Sequence, residues 1–148
     1  MLFRSYTGKH GTFTLTLKPG VWRKNPKPTV PISEVEFVHK DGDAMAMVVA
    51  ERIQIPLATL RRAVVSRIQD QDKDAKVVEE EKRTVNGSPV LFLTINAKVQ
   101  GIAFTYVYYL YSGKEGAIQV IAFTGQNLFK DFRPDLEEFL NGFELVKK

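Results

Sequence analysis

The residue types that most often move protons are thinly spread in this chain. Only two histidines are present, His10 and His39, one in a loop and one at the end of a strand-like run. A general base must sit within hydrogen-bond reach of the group it deprotonates. No serine or acid falls in a recognisable triad pattern, and no HExxH or nucleophile-elbow string occurs. Both histidines read as surface residues. The absence of cysteine excludes thiol catalysis, thiolate metal sites and a disulfide framework. The string Ser112-Gly113-Lys114-Glu115-Gly116 contains Gly-Lys but lacks the upstream glycine and following hydroxyl residue of a phosphate loop. It reads as a hairpin turn.

One metal pattern is closer. Asp70, Asp72, Asp74 and Glu81 occupy positions 1, 3, 5 and 12 of a calcium loop, with Val77 at position 8. Position 6 is Ala75 where the sharp turn wants glycine, and the following residues read as a strand rather than an outgoing helix. These acids therefore read as a solvated helix end, and no metal or cofactor site is expected. The segment Gln100 to Val107 shares Gly101, Ala103 and Phe104 with RNA-recognition strands. It lacks the leading cation and the later aromatic, so no nucleic-acid site is expected.

What remains is binding chemistry. The run Ile102 to Tyr111 holds Phe104, Tyr106, Tyr108, Tyr109 and Tyr111. Tyrosine combines an apolar body with a wet end, so part of this strand is expected to line a groove or an open aromatic face. The second candidate is the Pro-rich loop around Trp22, with Lys18, Lys24 and Lys27. Residues 1–33 carry six basic side chains and no acidic one, so the net charge of +4 belongs to this segment. Such a patch speeds association with an acidic partner.

The elements that must position these residues follow from periodicity. Gly11 to Leu17 alternates as a half-buried strand, with Phe13, Leu15 and Leu17 on one face. Arg23 to Pro31, with three prolines, is a loop. Ser33 to His39 and Ala44 to Arg52 form a hairpin around Asp41-Gly42. Leu57, Leu60, Val64 and Ile68 mark a helix whose first turn Pro56 suits. Val77 to Val85, Val90 to Val99, Ile102 to Tyr111 and Ala117 to Thr124 are four further strands. A last helix has Pro134 in its first turn, the stripe Leu136, Phe139 and Leu140, and Asn141-Gly142 as its stop.

This order predicts an α+β fold: an antiparallel sheet of six to seven strands with helices packed on its faces. Its 148 residues, 44% of them hydrophobic, suit a single domain spanning 1–148. The expected core is Phe13, Leu15, Trp22, Leu60, Val64, Ile68, Leu93, Ile95, Phe104, Val120, Leu136, Phe139 and Phe143. No apolar run is long enough for a membrane span. The opening residues carry no secretory signal, so the chain reads as cytoplasmic as it stands, and as periplasmic where a signal segment precedes it.

Several of these strings occur together in one known family. They are Lys18-Pro19-Gly20-Val21-Trp22 after a phenylalanine-bearing strand, Val85-Asn86-Gly87-Ser88-Pro89-Val90 before paired long strands, Ala117-Ile118-Gln119-Val120-Ile121, and the closing Leu140-Asn141-Gly142-Phe143. In this the chain resembles the PsbP/DcrB-like superfamily of α/β/α sandwiches, which takes in Mog-type Ran-binding proteins, envelope lipoproteins and bacterial secretion chaperones. The resemblance implies a non-enzymatic module whose partner is another protein, with a homodimer also open. It brings no catalytic residue and no cofactor. Two departures are the missing lipoprotein cysteine and the basic, not acidic, N-terminal segment. Taken together, the residues and the resemblance imply a protein-binding accessory or chaperone-like role through the aromatic sheet face. The alternative is a small-ligand or lipid carrier with a cavity between sheet and helices.

Overall fold

Alternation of apolar side chains on both sides of four long strands dictates a sheet that must be covered twice. The computed structural model describes residues 4–146 and resolves that demand in three layers. The central layer is a seven-stranded antiparallel sheet. Its strands are β3 (Trp22–Lys24), β4 (Val35–His39), β5 (Ala44–Glu51), β6 (Lys76–Val85), β7 (Ser88–Val99), β8 (Ile102–Gly113) and β9 (Gly116–Gly125). They lie in the order β3-β4-β5-β9-β8-β7-β6. A small sheet of β1 (Arg4–Thr7), β2 (Phe13–Leu17) and β10 (Phe143–Leu145) stands apart, with β2 in its middle. Helices α1 (Leu57–Gln71) and α2 (Phe129–Asn141) complete the chain.

The hairpins follow their turn chemistry. Asn86-Gly87 takes positive φ at both residues, 46° and 83°, so Val85 pairs with Ser88 across a two-residue turn. Gln100-Gly101 does the same between β7 and β8. At Gly142 the constraint is space: a Cβ would collide with the carbonyl of Thr16, whose own N–H donates to Gly142 O at 2.9 Å.

One face of the large sheet packs against α2 and the small sheet, burying Phe13, Phe37, Phe92, Tyr109, Phe139 and Phe143. The other packs against α1 through Leu60, Val64 and Ile68, which meet Leu93, Ile95, Tyr108 and Leu110. Tyr109 and Tyr108 are thus neighbours in β8 that serve opposite cores. Arg61 of α1 forms two bonds with Glu80 of β6, at 2.8 and 3.0 Å, and α1 rests over β7 and β8. That placement leaves the β5–β9 half of this face less covered.

The expected core is buried with one exception. Phe104, near the start of β8, is half-buried, packed against Tyr106 and Phe123. Three short strands, β1, β3 and β10, were not expected, and β3 begins at Trp22 where a loop was read. Their three or four residues carry no periodicity; only pairing partners define them. Pro134 is not in a first turn either. The helix starts five residues earlier and carries the proline inside it. A 3-10 turn over Gln126–Leu128 leads in, and Phe132 is held edge-on against the His39 ring at 5.0 Å. Packing thereby maintains a turn that intrinsic preference alone would have ended.

Phe139 joins both layers, with its ring 5.2 Å from Trp22 and 5.5 Å from Phe37. Phe139→Ala is expected to destabilise the fold by about 3–5 kcal/mol in urea or thermal unfolding. A melting temperature within a degree of the parent would contradict this docking of α2.

Candidate functional site

The long strands alternate strictly, so the tyrosines of β8 divide between the faces. Tyr109 and Tyr111 point toward α2. Tyr109 is buried, and its hydroxyl donates to the Asn141 side chain at the end of α2. Tyr111 is half-buried and donates to Glu115 at 2.5 Å; burial together with this acceptor pushes its phenol up to about 12. Tyr106 and Tyr108 point toward α1. Tyr108 is only 4% exposed, and burial raises its phenol, with Arg67 acting in the opposite direction. Tyr106 is half-buried, and burial raises its phenol as well.

The expected open aromatic face is therefore corrected: neither Tyr108 nor Tyr109 faces solvent, because each side of the sheet has its own helix. Trp22 is buried too, edge-on to His39 and packed on Phe139. The lysines are exposed. Lys18 lies beside Asn141 and Glu144 near the end of α2, Lys24 sits 5.7 Å above the Tyr6 ring, and Lys27 lies in the Pro-rich loop. Three of the expected site residues, Trp22, Tyr109 and Lys18, thus lie on the α2 side, away from Tyr106 and Tyr108.

On the α1 side the half-covered floor forms an apolar groove of about 250 Å³. Tyr106, Tyr108, Ile121 and Phe123 make its floor, and Val64 and Ile68 make the α1 wall. Val30 and Ile32, from the Pro-rich loop, close a third side; Ile32 is 44% exposed. Arg67, Gln71 and Gln119 are its polar groups. The Tyr106 and Phe123 rings, cross-strand partners, stack at 4.9 Å. Sequence reading found the tyrosines of this groove but not Met47, Phe123 or Arg67, which enter only through strand order and helix placement.

The loop that forms the third wall is anchored by a residue that sequence reading passed over. Glu36 of β4 is fully buried, and its carboxylate accepts from Val30 N–H (2.7 Å), the Ser33 hydroxyl (2.8 Å) and the Thr29 hydroxyl (3.1 Å). Burial pushes this carboxyl up, but the backbone donors of Thr29 and Val30 and the two hydroxyls outweigh it, leaving it below the usual range.

His39 is likewise buried rather than on the surface. Its Nδ1 accepts from Asp41 N–H at 3.2 Å, so Nε2 carries the proton and donates to Asp135 Oδ2 at 2.8 Å. Trp22 and Phe132 flank the ring. This pair joins β4 to α2.

The calcium-like acids also have local work. Asp72 accepts from Lys98 N–H at 2.7 Å and Asp74 N–H at 3.0 Å, donors that hold its carboxyl below the usual range. Glu81 pairs with Arg83 at 2.7 Å within β6. Among the described residues no three acidic or histidine side chains converge as metal ligands.

With this geometry the class of fold is defined: it is a PsbP-type α/β/α sandwich. No family model and no curated protein matches the sequence. Solved structures do. Cyanobacterial PsbP from Synechocystis sp. PCC 6803 superposes with a TM-score of 0.73 at 13% identity, over 97% of this chain and 92% of that one. LpqN of Mycobacterium tuberculosis, described as involved in cell envelope biogenesis, gives 0.59 at 11% identity over 99% and 91%. A Bacteroides thetaiotaomicron structure gives 0.61 at 11% identity, with all of this chain matching half of that one. At such identities the likeness is one of fold. Among the described residues no helix is long and apolar enough to cross a membrane.

Glu36 yields a pH test. A carboxyl depressed in the folded state stabilises the fold above its unfolded value of about 4.3, and that contribution is lost as pH falls through the folded value. Glu36→Gln is expected to cost about 1–3 kcal/mol at pH 7 by leaving donors unsatisfied. Its unfolding free energy should also fall less steeply than the parent's below about pH 4. Parallel acid limbs in urea titrations at a series of pH values would remove Glu36 from this role.

Proposed function

We propose that this chain is a single-domain, non-catalytic accessory module that binds another protein by taking one of its apolar side chains into the groove beside α1. The observation carrying this reading is the groove itself, an apolar depression floored by aromatic side chains and walled on three sides. Apolar contact in such a pocket supplies affinity, while polar groups at the rim orient the guest. The size bears on the choice between guests. At about 250 Å³ the groove falls below the roughly 300–1,000 Å³ of typical small-molecule sites and suits one large side chain. A carrier role is accordingly the weaker reading.

The absence of chemistry in this proposal rests on how polar groups are used. Among the described residues every buried side-chain nitrogen or oxygen has a hydrogen-bond partner within the fold. The His39–Asp135 pair serves packing between α2 and β4. The lysines suit a secondary role, raising association rates with an acidic partner. PsbP and an envelope-biogenesis protein share this fold, which supports an accessory role without specifying the partner.

Capture from the native host, compared across variants, tests the reading. Gln119 lies on the groove floor at a half-buried strand position where an aromatic is tolerated, so Gln119→Trp fills the groove. It should keep the parent's cooperative melting and lose the captured protein. Replacing Lys18, Lys24 and Lys27 together by Gln should weaken capture at low salt only. Unchanged capture by Gln119→Trp, or complete loss with the lysine triple variant, would move the site elsewhere.

A further inference from the structure

Among the described residues Arg67 is the one charged side chain lining the groove, and no carboxylate lines it, although the chain carries 17 acidic residues. Three other arginines are ion-paired: Arg61 with Glu80, Arg83 with Glu81 and Glu137, and Arg133 with Glu79 and Glu137. Arg67 is exposed and makes no ion pair or side-chain hydrogen bond among the described residues. Its charge nevertheless reaches the groove floor, where it opposes the rise of the Tyr108 phenol. A free guanidinium beside an apolar hole is a fork for a planar anion, and carboxylate is the anion that fits it in two parallel hydrogen bonds. Gln71 and Gln119 add neutral amides, able both to donate to such an anion and to accept from a neighbouring peptide N–H.

Resting on the groove reading above, we propose that the guest is the C-terminal residue of a partner protein: an apolar side chain in the groove, with its α-carboxylate on Arg67. Two features converge on a chain end: the volume fits one side chain, and the cation lines that same hole. A terminal residue satisfies both, since it brings its carboxylate within one bond of the Cα that carries the apolar group. An internal acidic residue would place its charge on a second side chain, farther from the hole.

The experiment uses the full chain and a fluorophore-labelled decapeptide of glycine and serine ending in phenylalanine, as free acid and as C-terminal amide, followed by anisotropy. The free acid should bind on the order of tenfold more tightly than the amide, as one charge-assisted pair implies. Arg67→Gln should erase that difference, and Arg67→Lys should keep part of it. An exposed helix-surface change of this kind leaves the melting temperature in place, which serves as the folding control. Gln119→Trp should abolish binding of both peptides. Equal binding of acid and amide, or an acid preference that survives Arg67→Gln, overturns the carboxylate assignment. If both peptides still bind equally and Gln119→Trp abolishes them, the groove reading stands and only this inference falls. No saturable binding of either peptide at millimolar concentration overturns the inference outright, while host-protein capture lost on Gln119→Trp would still uphold the groove.

Discussion

A sheet that is apolar on both faces cannot stand in water, and most of this molecule answers that constraint. Strands β5, β7, β8 and β9 alternate between two cores, so each of their residues faces one cover or the other. Seven strands at about 4.8 Å spacing span roughly 29 Å, and one helix with its side chains is about 10 Å across. A single helix therefore cannot cover a face. On one side α2 is joined by the small sheet, and together they close the core around Phe13, Phe139 and Phe143. On the other side α1 works alone, and the groove is the part of the floor that it does not reach. The candidate site is thus a consequence of unequal coverage, placed where the Pro-rich loop comes closest to completing the layer.

The covers are fixed by polar contacts made where few would be expected. Buried carboxylate Glu36 gathers three donors from a loop that has too many prolines to form a ladder of its own. His39 and Asp135 tie the middle of α2 to β4, while Tyr109 and Asn86 grip its end through Asn141. Arg83 lies 3.7 Å over the Phe92 ring and reaches Glu137 of α2 at 2.8 Å. The His39–Asp135, Tyr109–Asn141 and Arg83–Glu137 contacts each have a buried or half-buried member, where a hydrogen bond is worth more than on the surface. The exposed Arg61–Glu80 pair, by contrast, sets the lie of α1 at little energetic gain.

The sheet's edges show the same economy of means. At one edge β6 is long and exposed, but its Lys76, Glu79, Glu80, Glu81 and Lys82 discourage another strand from adding, and the register slips between Val77 and Glu79. At the other edge β3 has only three residues, too short to template a neighbour. Association through the backbone is discouraged at both.

Read by itself, the sequence determined the elements whose signals are local. Asn86-Gly87 declared a hairpin because few other pairs accept positive φ at both residues, and Asp41-Gly42 because glycine accepts the positive φ at its second position. The stripe Leu60, Val64 and Ile68 declared α1, and the aromatic, β-branched run of β8 declared a strand that both helices would need. The antiparallel α+β sandwich followed from these. It did not determine which neighbour each face meets. Tyr108 and Tyr109 look alike in the chain, yet lie in different cores because strand order puts a helix over each. Short strands β1, β3 and β10, the helix running through Pro134, the buried Glu36 and the meeting of Arg67 with Tyr106 and Phe123 are products of pairing between distant segments. A two-residue turn is decided by the energies of its own backbone. A groove is decided by which parts of a wide sheet a short helix leaves uncovered, and only the assembled chain settles that.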